Sequence, residues 1–156
     1  MFQVHDRLYV GTANECFEDR PGWAVVHACK SPCHQRAVGY RGSLPSSHPH
    51  HLVLERERDL FLNIIDPPRP LFQRATFTTF LGFTARHWQA GAEVFIHCNQ
   101  GESRAPSLAA LFMARHLGAL DASSFDAASR ELARIYPTYF PAAGILHYLR
   151  QEWDRL

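Results

Sequence analysis

Residues 93–112 read EVFIHCNQGESRAPSLAALF. Glu93 to His97 is a short apolar run that reads as a buried central strand. Arg104 to Leu117 reads as a helix, with Gly118 as its stop. Asn99 to Ser103 must turn the chain between the two, and Gly101 is free to take a positive φ there. Pro106 suits the first turn of a helix, where a missing N–H costs nothing. Strand, tight loop and helix in this order deliver Cys98 to the edge of a sheet and Arg104 to a helix start.

Elements alternate on either side of this unit. Arg7 to Gly11 and Trp23 to His27 read as strands, the second short enough to be buried on both faces. Leu60 to Ile65 is another strand, ended by Asp66-Pro67-Pro68. Phe77, Phe80, Leu81, Thr84 and Trp88 lie at helical spacing within a helix over about 71–90, stopped by Gly91. Two further helices are expected, from Ser123 to Ile135 and from Pro141 to Trp153. Lys30 to Asp59, with Pro32, Gly39, Gly42, Pro45 and Pro49, reads as a long irregular loop. A loop of that length is uncommon unless it is functional or holds small elements. This order predicts one α/β domain over residues 1–156, with a small, largely parallel sheet flanked by helices.

The Cys98 loop carries chemistry. A loop that ends at a helix amino terminus points backbone N–H groups into a concavity, and such a concavity binds anions. Arg104 adds a planar fork that matches two phosphate oxygens. The five residues between Cys98 and Arg104, Asn99, Gln100, Gly101, Glu102 and Ser103, let the loop wrap so that thiol and guanidinium face one anion. The same field favours the thiolate, a nucleophile aimed at phosphorus. Positioning and charge stabilisation supply most of phosphoryl-transfer catalysis, so no metal or other cofactor is required. A proton donor for the leaving group is still needed. Asp66, 32 residues before Cys98 and stiffened by Pro67 and Pro68, is the candidate. Glu55, Glu57 and Asp59 compete, although ERERD reads more naturally as a solvated charged turn.

His97-Cys98-x5-Arg104 followed by Pro106 resembles the signature loop of the cysteine-dependent protein phosphatases, most closely the compact dual-specificity branch. Leu8 to Gly11 resembles the first strand of that branch. Asp66 sits at a separation typical of its general acid, and Tyr139 to Ile145 (YFPAAGI) resembles the Pro-x-x-Gly start of its final helix. The resemblance implies that Cys98 attacks phosphorus and that Arg104 and the loop from Asn99 to Ser103 hold the phosphoryl oxygens. It implies that Asp66 protonates the leaving group and then activates water, and that His97 tunes the thiolate through hydrogen bonds in the loop. One position departs. The family has Ser or Thr directly after the arginine, where a hydroxyl stabilises the departing thiolate; here stands Ala105, and Ser107 is not assumed to substitute. The departure implies slower breakdown of a phosphocysteine and keeps open a phosphate-binding module with little turnover.

Cys16, Cys29, Cys33 and Cys98 are sparse, and at 156 residues they read as reduced thiols of a cytoplasmic protein rather than a disulfide framework. Cys29, Cys33 and His34, with His27 nearby, lack an obvious second pair and read as strand-end and loop residues, not as a metal site. His48, His50 and His51 read as a solvated loop. Lys30, Arg36 and Arg41 read as surface charge, or as a recognition wall beside the pocket. A net charge of +1 gives no basic field for nucleic acid. No apolar run approaches the roughly 20 residues of a membrane span, and the amino-terminal residues do not read as a signal peptide. The expected partner is a phosphorylated protein or peptide. A phosphoinositide, a nucleotide or an RNA 5′-phosphate remains as an alternative substrate, which Glu102 disfavours. Glu102 itself is expected to point outward from the rim, since its carboxylate would repel phosphate inside.

Overall fold

The computed structural model describes residues 1–16 and 20–156. Six strands form one sheet: β1 (Phe2–His5), β2 (Leu8–Thr12), β3 (Trp23–His27), β4 (Val53–Glu55), β5 (Asp59–Leu62) and β6 (Glu93–Cys98). Their spatial order is β1-β2-β6-β3-β5-β4. The four inner strands are parallel, and an antiparallel neighbour closes each edge. The sheet is thus mixed and mostly parallel, flanked by helices.

Alternation along the strands divides their side chains between two faces. Leu8, Val10, Ala24, Val26, Leu60, Leu62, Val94, Ile96 and Cys98 point to one face and share a single apolar cluster with the helices. α2 (Arg74–Gln89) supplies Phe77, Phe80 and Phe83, all with no exposed surface. α3 (Arg104–Phe112) runs on through a wider turn to Leu117, and Gly118, at φ 60°, stops it. α4 (Phe125–Ile135) packs on α3, and α5 (Ala143–Glu152) packs on α4. Each fully buried Phe or Leu contributes about 1.5–3 kcal/mol of transfer free energy, so this face dominates the stability of the domain.

The opposite face has a different make-up. Val25, His27, Phe61, Phe95 and His97 are buried there, yet none belongs to the main cluster. In place of a long helix, residues 13–16 and the segment after β3 lie against it. Within residues 30–59, read from sequence as one irregular loop, the structure places a turn at Lys30–His34, the short α1 (Gln35–Val38) and β4. His34, fully buried, ties this region together: its ring contacts the Tyr40 hydroxyl and the His50 carbonyl, each at 3.0 Å. His51 adds a contact to the Leu44 carbonyl, so the histidine-rich stretch is internally bonded rather than simply solvated.

The final helix begins at Ala143, two residues later than expected, because residues 139–142 serve other contacts. The amide of Phe140 donates to the Glu102 carbonyl at 2.8 Å, and that of Ala142 to the Ser103 hydroxyl at 3.0 Å. Gly144 lies against the carbonyls of Pro67 and Arg69, and a Cβ added there would sit 2.6 Å from the latter and closer still to the former. Both neighbours are backbone, which cannot swing away. Gly144→Ala should therefore lower unfolding free energy by about 1–3 kcal/mol, as overpacking does. Gly82→Ala, at an exposed position of α2 with its nearest neighbour the Arg86 side chain at 3.7 Å, should hold or raise stability. Paired urea titrations measure both.

Candidate active site

Parallel strands carry their carboxyl ends to one edge of the sheet, and the candidate residues gather there. Cys98 ends β6 on the helical face and is 2% exposed. The loop turns at Gly101, whose φ of 75° suits glycine alone. An added Cβ would also meet the Gly11 carbonyl oxygen at 3.0 Å, so the loop lies directly on the end of β2. Gln100 and Glu102 face solvent, as the charge argument requires of Glu102. Ser103 precedes α3, but its hydroxyl does not cap the helix. The first N–H groups of a helix have no partner within it, and here they border the loop concavity.

Arg104 is 7% exposed and engages every branch of its guanidinium. Nη1 donates to the carbonyls of Ala28 and Ile64 at 3.1 Å, and Nη2 donates to Asn99 Oδ1 at 2.8 Å. Nε donates to Asp66 Oδ2 at 2.8 Å. The other Asp66 oxygen accepts from the Ser103 hydroxyl at 2.8 Å. Asp66, Ser103, Arg104 and Asn99 thus form one connected network around the loop. Asn99 extends it, since its Nδ2 donates to the Ser31 carbonyl at 2.9 Å. The rivals to Asp66 lie elsewhere: Glu55 pairs with Arg86 on the surface, Glu57 is exposed, and Asp59 bonds His27 at 2.9 Å on the opposite face.

No protein-family model and no curated protein sequence matches the chain. Solved structures do. Human DUSP28 is 17% identical, with 99% of this chain and 96% of that chain covered, at a TM-score of 0.68. DUSP15 is 14% identical, with 98% and 86% covered, at 0.68. The human tyrosine phosphatase-like serine/threonine/tyrosine-interacting protein is 18% identical, with 98% and 94% covered, at 0.67. The fold is that of the compact dual-specificity phosphatases.

Two features of this dual-specificity phosphatase fold were not foreseen. His97 does not bond within the loop. Alternation turns its ring to the face away from Cys98, where Nε2 meets His27 Nδ1 at 2.8 Å. Its Nδ1 has no hydrogen-bond partner among the described residues. Around this pair stand Cys16, Cys29 and Cys33. Cys16 Sγ is 3.4 Å from His27 Nδ1, and Cys33 lines one cavity with both. Bonding to Cys33 holds Cys16 and Cys29 below the ordinary thiol range, and Cys33 is pushed up between them. Burial pulls His27 down, but bonds to Asp59 and Cys16 outweigh it and raise its pKa to about 9. Burial pulls His97 down as well. Cys16 escaped sequence reading because it is remote from Cys29 in the chain. The strand order supplied the signal, since β2, β6 and β3 are adjacent and their carboxyl ends meet.

The network also governs access to the guanidinium. Asp66 occupies Nε, the donor an incoming tetrahedral anion needs together with Nη2 for a two-point grip. Asp66→Ala should therefore tighten orthovanadate binding by about tenfold, a change of about 1.4 kcal/mol. Calorimetric titration of both proteins gives the comparison, and weaker binding by the variant would contradict the competition.

Proposed function

We propose that the protein hydrolyses phosphate monoesters of protein substrates through a phosphocysteine. The observation that carries this reading is the bonded set of Asp66, Ser103 and Arg104 at the mouth of the Cys98 loop, in a fold shared with dual-specificity phosphatases. Phosphate enters as Asp66 releases Arg104 Nε. Cys98 Sγ attacks phosphorus, and the bond from phosphorus to the leaving oxygen breaks. Asp66, protonated from solvent once it has left Arg104, gives that proton to the leaving oxygen, then takes one from the water that displaces the thiolate. Arg104 and the loop N–H groups from Asn99 to Ser103 balance the equatorial charge throughout.

The recognition surface extends over the 30–41 segment. A surface cavity of about 490 Å3, lined by Ser31, Pro32, Gln35, Arg36, Tyr40 and Arg41 among others, adjoins the loop through the Ser31–Asn99 bond. Arg36 and Arg41 give it positive charge, which suits an acidic flank beside a phosphorylated residue. Among the described residues no helix is long and apolar enough to cross a membrane, and all four cysteines are free thiols. We place the protein in the reducing cytoplasm on that chemistry.

Wild type should hydrolyse para-nitrophenyl phosphate, Cys98→Ser should be inert, and Asp66→Asn should lose about 10²–10⁴-fold in kcat. Wild type that binds vanadate without turnover would instead favour a phosphate-binding module. Such a module is kept in view by Ala105, fully buried at the position where the family carries a hydroxyl. Ser107 offers no replacement, because its hydroxyl meets that of Tyr139 at 3.0 Å inside the core. Ala105→Ser should raise the rate of phosphocysteine breakdown by about tenfold, about 1.4 kcal/mol of barrier. Rapid-quench detection of the intermediate reads this rate directly, and an unchanged rate would remove the role assigned to the hydroxyl.

A further inference from the structure

The face of the sheet opposite the main core is thinly covered, and its buried residues are the wrong chemistry for packing alone. Three thiols and two imidazoles converge there from the ends of three adjacent strands. Cys16 follows β2, His27, Cys29 and Cys33 follow or end β3, and His97 lies in β6. Ligand atoms of Cys16, His27 and His97 all lie within 4.8 Å of one another, and so do those of Cys29, Cys33 and His97. His97 belongs to both sets and is fully buried. Cys33, of the second set, lines one cavity with Cys16 and His27 of the first, which brings the two sets together.

We propose that this cluster is a structural zinc site, with Cys16, Cys29, Cys33 and His97 as its four ligands. Three sulfurs and one imidazole nitrogen make a donor set that structural Zn2+ takes in tetrahedral geometry. Bond lengths of about 2.3 Å to sulfur and 2.0 Å to nitrogen put neighbouring donors about 3.3–3.8 Å apart. Within each set the donors need to close by only about an ångström to reach that range, and gathering both sets on one ion draws Cys16 toward Cys33, with which it lines one cavity. Zn2+ displaces the thiol protons, so three thiolates and one neutral imidazole leave the site with one net negative charge. His27 stands beside it, its Nδ1 facing Cys16 and its Nε2 held by Asp59 at 2.9 Å, so a carboxylate fixes the ring that lies against the sulfur. A cavity of about 370 Å3, lined by Cys16, His27, Cys33, Arg36 and Arg56 among others, gives the ion a way in and places cations near the negative site.

The site would act on the phosphate loop by position. The Cys29–Cys33 turn is flanked by Ala28, whose carbonyl holds Arg104, and contains Ser31, whose carbonyl holds Asn99. Ala28 in turn donates its amide to the His97 carbonyl at 2.8 Å. An ion joining Cys16, the turn and His97 would fix the frame in which Arg104 sits, without touching the phosphate. This holds whether or not the loop turns over substrate.

The full chain, expressed with added zinc and purified without chelator, should carry about one Zn2+ per chain by plasma mass spectrometry. Cys16→Ser and Cys33→Ser should each reduce that to about a tenth or less, while Cys98→Ser keeps it. Cobalt exchanged into the wild type should show an intense four-coordinate visible spectrum and a thiolate charge-transfer band. This reading needs no substitution and so stands if a variant fails to fold. Chelation should lower the thermal midpoint of the wild type. A wild type free of zinc after reconstitution would overturn the site, as would a disulfide between Cys29 and Cys33 in its place. Zinc retained by both serine variants but lost from Cys98→Ser would overturn it too, by moving the ion to the phosphate loop.

Discussion

The guanidinium of Arg104 ties the ends of two neighbouring strands to the two loops that follow β5 and β6. It bonds the end of β3 through Ala28, the end of β5 through Ile64, the Asp66 loop and the phosphate loop itself through Asn99. A buried cation that lost these partners would be strongly destabilising. The sheet order, with β6 between β2 and β3, follows the same constraint, since it brings the required carbonyls to one edge. A phosphate that enters must therefore displace a carboxylate already in place. In the proposed reaction, binding would exchange one anion for another and free Asp66 beside the leaving group.

Asymmetry between the two faces of the sheet follows from the helices. α2, α3, α4 and α5 build a single apolar cluster on one side, and the other is left to aromatic rings, histidines and thiols. Tyr9 and Trp23 lie with ring centroids 4.9 Å apart there, and His27 stacks on Phe61 at 4.1 Å. Such a layer is polar enough to need internal partners. His27 finds them in Asp59, Cys16 and His97, so the charge of the ERERD turn has a structural use at its last residue. The site is thus supported from below by a network and from above by packing.

Sequence revealed the parts whose signal is local. Trp23 to His27 is a strand at those residues because its apolar run is bounded on both sides. The helix from Arg104 is bracketed by Pro106 and Gly118, and Cys98, Arg104 and Asp66 were marked by chemistry and spacing. The parts it missed depend on the partner chain segment. Phe2–His5 alternates over only four residues, too few to mark a strand alone, and becomes β1 by pairing with β2, across a turn where Arg7 takes a φ of 54° that turn residues such as glycine usually supply. Arg7 is held there by bonds to the Trp88 and Ala92 carbonyls. Val53–Glu55 is too short to announce itself and pairs with β5. Gly144 carries no local signal at all; its need arises from the backbone of Pro67 and Arg69.

The clasp of residues 139–144 has a consequence for the growing chain. Cys98 and Arg104 leave the ribosome about 40 residues before Phe140 and Ala142, whose amides fix Glu102 and Ser103. At about 5–20 residues per second that interval is about two to eight seconds. Through it the loop has its thiol and its guanidinium but not the segment that shapes them. A nascent chain therefore carries Cys98 in an unassembled setting, and the segment that sets the loop is made after the loop itself.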